Sequence, residues 1–331
     1  MENTESAAVT ASGMAAITTT LLQLCRQGDE IICNRMVYGG TYAFLKNVAP
    51  RFGIKTNFVD ITNIDRVEKA ITPATKVIYC ESVSNPLLEV TDIKALSKLS
   101  NKYGLKLIVD NTFTPLIISP AKLGADIVVH SLTKFINGTS DTVAGAICAS
   151  DEFIHKLSDV NNGMIMLLGP VMDSLRAASV LKNLHSLHVR MQQHSKNALY
   201  LATELSKSGM EVRYPGLTDH PQHTLMKATM NPEFGYGGML VLNVGTKQNA
   251  YKLMERMQQQ NLGYLAVSLG FYKTLFSAPG SSTSSEIPEG EREAMGLGDG
   301  LIRMSIGLDA NIEDTLYKMK KCIDEIRAVP A

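Results

Sequence analysis

The chain has 331 residues, of which 45% are apolar and 19% charged, so it can bury the core of one large domain or two ordinary ones. Its 32 basic residues balance its 32 acidic residues, and a formal net charge of zero argues against a nucleic-acid partner held by overall charge. With no apolar run of the ~20 residues that span a membrane and no basic leader at its start, the sequence predicts a cytoplasmic protein without a membrane partner.

The first half alternates short apolar runs with longer amphipathic segments. Helical spacing occurs at residues 41–51, 64–71 and 93–103. Strands are predicted at residues 30–33, 55–59, 76–80, 106–110, 126–130 and 144–148. Nearly continuous apolar strands separated by helices predict a largely parallel sheet that is covered on both faces. Functional residues are then expected just past the carboxyl ends of these strands.

The second half has a different pattern. A long amphipathic helix is predicted at residues 191–208, and a loop rich in His, Pro and Gly follows at 214–223. Further elements are a strand at 237–244, a helix at 248–260, a flexible segment at 279–285, a strand at 301–306 and a helix from residue 312. This pattern predicts a large α/β domain at residues 1–187 and a smaller α+β domain at residues 188–331.

The cysteines and clustered histidines do not indicate a metal site. The five cysteines are scattered through apolar segments, which is typical of buried thiols in a reducing compartment. His185, His188 and His194 lie close in sequence but lack acidic or cysteine companions at metal-binding spacing. The interpretation is therefore that no metal is bound.

Lys134 lies just after the predicted strand at 126–130, next to Ser131 and Thr133. Partial burial lowers the pKa of an amine, and the neutral amine is the nucleophile that forms a Schiff base. The two hydroxyls have the chemistry to donate to a phosphate. A helix start capped by Ser131, with a solvated lysine, explains these residues equally well on their own.

Asp110 ends the apolar strand at 106–110. A carboxylate there is costly unless it meets a partner, and a protonated pyridine nitrogen is such a partner. A helix-capping aspartate is the alternative. Ser12, Gly13 and Met14 open the first long helix, whose N-terminal amides attract phosphate, although a simple helix start is again the alternative. Taken in order, these three features suggest pyridoxal phosphate.

Ordered motifs along essentially the whole chain resemble the Cys/Met-metabolism pyridoxal-phosphate enzymes. The lysine segment at 126–138 resembles that family's lysine signature. Further matches lie at residues 38–41, 81–86, 109–113, 214–217 and 301–307. The resemblance implies the aspartate-aminotransferase-like fold (fold type I), with a mostly parallel seven-stranded sheet in the large domain. It also implies pyridoxal 5'-phosphate as cofactor and a homotetramer built as a dimer of dimers.

The resemblance assigns a role to each matching residue. Lys134 corresponds to the lysine that bonds the cofactor and moves protons, and Asp110 to the partner of the ring nitrogen. Tyr38 corresponds to the tyrosine that stacks on the ring and helps to protonate the leaving group. The implied phosphate cradle consists of Gly13, Met14, Ser131 and Thr133. Arg303 and Ser268 correspond to the pair that binds the substrate α-carboxylate, a role that suits the planar fork of arginine.

Within the family, segments 167–170, 219–223, 234–238 and 280–285 are most similar to plant-type methionine γ-lyases. The resemblance therefore implies γ-elimination from methionine, giving methanethiol, 2-oxobutanoate and ammonia. Bacterial and protozoal methionine γ-lyases carry Cys where this chain has Gly40, so cystathionine γ-lyase or γ-synthase, or a homoserine-ester sulfhydrylase, is the alternative. Thr139 replaces a histidine that many relatives carry.

Family members have a further N-terminal segment before the phosphate turn at Gly13. That segment reaches a neighbouring subunit and supplies a Tyr and an Arg to its cofactor phosphate. Neither counterpart precedes Gly13 here. The expectation is weaker cofactor binding and slow elimination, and a truncated, catalytically impaired paralogue is a further alternative.

Overall fold

The computed structural model describes residues 1–281, 290 and 296–327. The chain divides into two compact units. Met1–Asn85 and Glu89–His185 form the first unit, while Pro86–Leu88 joins the residues from Ser186 onward in the second. The domain boundary at residue 187 stays a prediction.

The first unit is built on a seven-stranded sheet in the described residues. In chain order its strands are β1 (Ser6–Thr10), β2 (Glu30–Asn34), β3 (Lys55–Val59), β4 (Thr75–Glu81), β5 (Lys106–Asp110), β6 (Ile127–Ser131) and β7 (Gly145–Ala149). Their spatial order is β1-β7-β6-β5-β4-β2-β3. The five strands from β6 to β3 are parallel, and β7 and β1 are antiparallel to their neighbours. The expected mostly parallel sheet is confirmed.

The register brings the carboxyl ends of the central strands to one edge of the sheet. Asp110, the last residue of β5, is paired with Glu81 of β4 on one side and with Val129 of β6 on the other. The strand cores are almost completely buried, as expected for parallel strands with both faces covered. Two carboxylates therefore end neighbouring strands at the same level.

Seven α-helices accompany this sheet in the described part of the unit. They are α1 (Gly13–Leu24), α2 (Gly39–Ala43), α3 (Ile64–Ala70), α4 (Ile93–Tyr103), α5 (Asp151–Leu157), α6 (Met164–Leu168) and α7 (Ser174–Leu184). The single helix predicted at 41–51 is instead the short α2, a π-helical turn at Phe44–Val48 and a 3-10 turn at Ala49–Phe52. The 3-10 turn contains Pro50, which lacks the N–H that a continuing α-helix needs.

The second unit contains a five-stranded sheet in its described residues, ordered β10-β11-β12-β9-β8. The strands are β8 (Glu211–Arg213), β9 (Met239–Asn243), β10 (Tyr264–Leu265), β11 (Leu275–Ser277) and β12 (Leu301–Ser305). The helices are α8 (Leu187–Lys207), α9 (His223–Thr229), α10 (Lys247–Gln259) and α11 (Ile312–Arg327). All strand pairs are antiparallel except β10 with β11. A small α+β unit with the predicted long helix is observed.

The core of the second unit lies between this sheet and three of the helices. The amphipathic helices α8, α10 and α11 contribute buried apolar side chains at three- and four-residue spacing, such as Leu201 and Leu205. Tyr214 is fully buried in this cluster and donates its hydroxyl to the carbonyl of Gly237 at 2.8 Å. Of the predicted flexible segment at 279–285, Pro279–Ser281 forms a 3-10 turn and the remainder lies outside the described residues.

All five cysteines are buried and unbridged, and none of the described helices is both long enough and apolar enough to cross a bilayer.

Candidate functional site

The first turn of α1 lies directly against the end of β6. Ser12 caps the helix, with its Oγ accepting from the backbone N–H of Ala15 at 3.0 Å. A Cβ placed on Gly13 would lie 2.7 Å from the Cβ of Ser131. Only glycine permits this approach, so the sequence Ser-Gly at 12–13 sets how close the helix start comes to the strand. The first amides of an α-helix have no partner within the helix and can donate to a ligand.

A short chain of hydrogen bonds connects Ser131 to the buried carboxylate of Asp110. The backbone N–H of Ser131 donates to Oγ1 of Thr112 at 2.8 Å. The backbone N–H of Thr112 in turn donates to Oδ1 of Asp110 at 2.9 Å. Thr112 therefore fixes both the carboxylate and the strand end beside it, a function for which the sequence gave no signal beyond its place in the 109–113 motif.

Asp110 is 8% exposed, and burial raises the pKa of its carboxyl group. Hydrogen bonds from Thr112, the charge of His130 and the hydroxyl of Tyr79, 3.4 Å from Oδ2, oppose this rise. The same negative charge, together with burial, raises the pKa of Tyr79, so that its phenol stays protonated and donates. The site therefore accommodates an ionised carboxylate best when a further cation or charged donor approaches it.

Lys134 lies in the turn after β6 and is half-buried. Its backbone N–H donates to the carbonyl of Ser131 at 3.3 Å, and its carbonyl accepts from Gly138 at 2.8 Å. Thr133 uses its hydroxyl within the protein: Oγ1 accepts from the N–H of Ala144 at 3.0 Å and lies 3.3 Å from the Ala144 carbonyl. The predicted helix start at Ser131 is thus a turn, because these residues bond to the neighbouring β7 loop.

Tyr38 presents an aromatic ring at the same region. The residue lies in the loop after β2, and its side chain is 42% exposed. A Cβ on Gly40 would lie 2.6 Å from Cε1 of Tyr38 and 3.1 Å from Sδ of Met14. Gly40 therefore lies between the Tyr38 ring and Met14, so that the tyrosine lies close to the start of α1.

These contacts bring together all the cofactor-related residues predicted in the first unit. The sequence-based analysis assigned no role to Glu81, although it quoted the motif that contains it. Glu81 is buried, and its two oxygens accept the backbone N–H groups of Tyr38 and Asn85, each at 2.8 Å. A signal was present, because Glu81 ends a buried strand as Asp110 does.

In the second unit, the structure places Arg303 and Ser268 together. Arg303 is the middle residue of β12 and is 2% exposed. Its Nη2 donates to the backbone carbonyls of Val267 and Ser268 at 3.3 and 3.2 Å. These carbonyls orient the guanidinium group, leaving its other N–H groups to be directed elsewhere.

Comparison with known proteins assigns the chain to a family. The model of the Cys/Met metabolism PLP-dependent enzymes matches residues 1–324. The chain belongs to this family. A methionine gamma-lyase of Arabidopsis thaliana is 44% identical over 324 residues, covering 97% of this chain and 74% of the relative. A cystathionine gamma-lyase of Dictyostelium discoideum is 39% identical over 98% of this chain and 82% of its own length.

Solved structures agree with this assignment. The crystal structure of cystathionine gamma-lyase from Lactobacillus plantarum, complexed with L-serine, superposes with a TM-score of 0.91 at 33% identity. The match covers 99% of this chain and 84% of that one. The predicted family, fold type, pyridoxal phosphate cofactor and enzyme class, a carbon–sulfur lyase, are confirmed.

Proposed function

We propose that the enzyme catalyses γ-elimination from L-methionine, consuming one water and releasing methanethiol, 2-oxobutanoate and ammonia. The observation that supports this most directly is the continuous set of contacts in the first unit. It joins a buried carboxylate, Asp110, through Thr112 and Ser131 to the helix start at Gly13. The exposed ring of Tyr38 lies beside the same helix start, as a proton donor to a leaving group requires.

The residues present fit pyridoxal phosphate. Gly13 and Met14 would offer backbone amides, and Ser131 a hydroxyl, to the phosphate dianion at the N-terminus of α1. Thr133 is proposed as a further phosphate donor; its hydroxyl would have to turn from the Ala144 carbonyl, 3.3 Å away, to serve. The carboxylate of Asp110, which burial otherwise penalises, would hold a proton on the ring nitrogen. When bound, the cofactor supplies an electron sink for the substrate carbanion.

The remaining steps belong to side chains of this protein. Lys134 would bind the cofactor covalently through Nζ and, once displaced by substrate, accept the proton from the substrate Cα. Tyr38 would donate its phenolic proton to the departing sulfur. In the second unit, Arg303 would bind the α-carboxylate together with Ser268, because its fork is already oriented by two carbonyls.

The preference for methionine rests on similarity and on the space around Gly40. The Arabidopsis relative at 44% identity is named for methionine. Any side chain at position 40 would displace the Tyr38 ring, so the glycine gives this tyrosine a fixed position without a neighbouring thiol. Cystathionine is the alternative substrate, since the Dictyostelium and Lactobacillus relatives are named for it.

We further propose that the chain forms a homo-oligomer. A series of apolar side chains between residues 160 and 184 is more than half exposed, an arrangement that marks an interaction surface. The most exposed are Val160, Met166, Leu167, Leu168, Val171, Leu175 and Leu181. A dimer of dimers is the expected assembly, and light scattering coupled to size-exclusion chromatography measures it.

A substrate panel tests the function. The protein, saturated with pyridoxal phosphate, is incubated separately with methionine, cystathionine and an O-acylated homoserine, while released thiol and 2-oxo acid are measured. We expect the highest kcat/KM with methionine. A higher value with cystathionine would transfer the assignment to cystathionine lysis. Cofactor binding without turnover of any of the three would identify a catalytically impaired paralogue.

A further inference from the structure

Glu81 connects two loops of the first unit through one buried carboxylate. It is the last residue of β4 and is 6% exposed. Oε1 accepts the backbone N–H of Tyr38 at 2.8 Å, and Oε2 accepts the backbone N–H of Asn85 at 2.8 Å. One amide lies in the loop between β2 and α2, and the other in the loop that follows β4. Each carboxylate oxygen therefore holds a different loop.

The Tyr38 loop needs such an anchor. Its ring is 42% exposed, so packing covers only part of it. The helix that follows, α2, has five residues and is too short to hold its own first turn rigidly. On the other side, Gly40 limits the ring, because there is no room for a Cβ between the ring and Gly40. The hydrogen bond to Glu81 fixes the backbone from which this exposed ring projects.

Such a bond is well suited to the task. A carboxylate that accepts an N–H forms a charge-assisted bond about twice as strong as one between neutral groups. Burial excludes water that would otherwise compete for both amides. The position of Glu81 is itself determined by the sheet, because its strand is paired with β2 and β5. The geometry of the central sheet is thereby transmitted to the loop.

We propose that Glu81 is a positioning residue that holds the phenol of Tyr38 where it can deliver its proton to the leaving sulfur. This inference rests on the γ-elimination proposed above. Glu81 acts through the Tyr38 backbone and does not itself contact the substrate. Its removal should slow the proton-transfer step more than it weakens substrate binding.

The test is a double-mutant cycle of Glu81→Gln with Tyr38→Phe. Glutamine keeps one acceptor oxygen but turns an NH₂ group toward the second amide, so one of the two bonds is lost. With methionine, kcat should fall roughly tenfold in Glu81→Gln, with KM changed by less than about twofold. In the Tyr38→Phe background the same substitution should change kcat by less than about twofold, because the misplaced donor is already absent. Glu68→Gln, which removes a surface carboxylate bonded to Lys102 at 2.6 Å, is the matched control and should leave kcat unchanged.

Amide hydrogen exchange gives a readout that does not depend on catalysis. The amides of Tyr38 and Asn85 should exchange faster in Glu81→Gln than in the wild type, while those of β5 stay unchanged. Glu81→Asp keeps the charge but is one methylene shorter, and it should show intermediate exchange and kcat. It provides the comparison if Glu81→Gln does not fold.

Two results would overturn the inference. One is an unchanged kcat in both Glu81 variants. The other is an equal loss with and without the Tyr38 hydroxyl, which would show a general structural role. A wild-type protein that releases no thiol would refute the proposed function instead, and the exchange of the Tyr38 amide would then still decide whether Glu81 holds this loop.

Discussion

The two units treat their buried charges differently. In the first, Asp110 lies at the end of a parallel strand, and its hydrogen bonds come from Thr112 and Tyr79 at the sheet edge. In the second, Arg303 lies in the middle of an antiparallel strand and donates to two backbone carbonyls. A strand end exposes a charge to an incoming ligand, whereas a position within a strand orients a charge before any ligand arrives. The first unit therefore carries the proposed reaction chemistry, and the second carries proposed recognition.

The largest expected effect breaks this comparison at the first unit. Lys134→Ala should abolish turnover and the violet-blue absorption of bound pyridoxal phosphate, because no amine remains at this turn to bond the cofactor. Absorption spectra before and after borohydride reduction measure the attachment. Lys122→Ala, at an exposed position in the 3-10 turn before β6, is the control and should retain both. Retention of both signals by Lys134→Ala would remove Lys134 from the mechanism.

The next effect concerns stability of the second unit. His194 is fully buried, its Nδ1 donates to the carbonyl of Ile306 at 2.6 Å, and burial lowers its pKa from 6.5 to about 4. Because the unfolded chain binds the proton first, stability is complete above about pH 6.5 and falls as the pH drops toward 4. The loss should be roughly 3 kcal/mol.

Urea unfolding of the protein between these pH values measures the loss. His194→Gln, which cannot titrate, should show a shallower decline than the wild type. His155→Gln, at an exposed position on α5, should reproduce the wild-type slope. Parallel slopes for wild type and His194→Gln would contradict a neutral buried imidazole.

A third prediction sharpens the contrast at Arg303. Arg303→Lys should raise KM for the amino-acid substrate roughly tenfold to a hundredfold, because a point charge cannot reproduce the planar fork. The cause is the loss of one charge-assisted hydrogen bond, worth about 1.5–3 kcal/mol. Steady-state kinetics with methionine check this, and the spectrum of the bound cofactor should stay unchanged. An unaltered KM would place the carboxylate grip elsewhere.

The smallest effect concerns the cost of Asp110 itself. Burial raises the pKa of this carboxyl, so the cofactor-free wild type loses stability as the pH rises from the ordinary value of 3.8 through the raised one. Asp110→Asn has no charge to bury and should be more stable than wild type toward higher pH when cofactor is absent. Thermal unfolding across this pH range measures the difference. With pyridoxal phosphate added, the order should reverse, because the wild type alone gains the ion pair.

How much the sequence alone predicted depended on how local the signal was. The central strands, the long helix α8, and the cofactor residues Asp110 and Lys134 follow short patterns that are read within a few residues. The roles of the site residues beyond their placement stay predictions. The sequence did not predict β1, because its Ser-Ala-Ala-Val-Thr run has little strand character and its partner β7 lies far along the chain.

The tertiary structure decided how these local pieces meet. Gly13 as a simple helix start and Gly13 as the contact point of Ser131 are the same in sequence, and only the packing of α1 on β6 separates them. Glu81 is an ordinary strand-ending acid until the fold brings the amides of Tyr38 and Asn85 to its two oxygens. Local patterns determine elements because they act through neighbouring residues. A site is determined by distances between residues remote in sequence, and those are fixed only when the sheet is assembled.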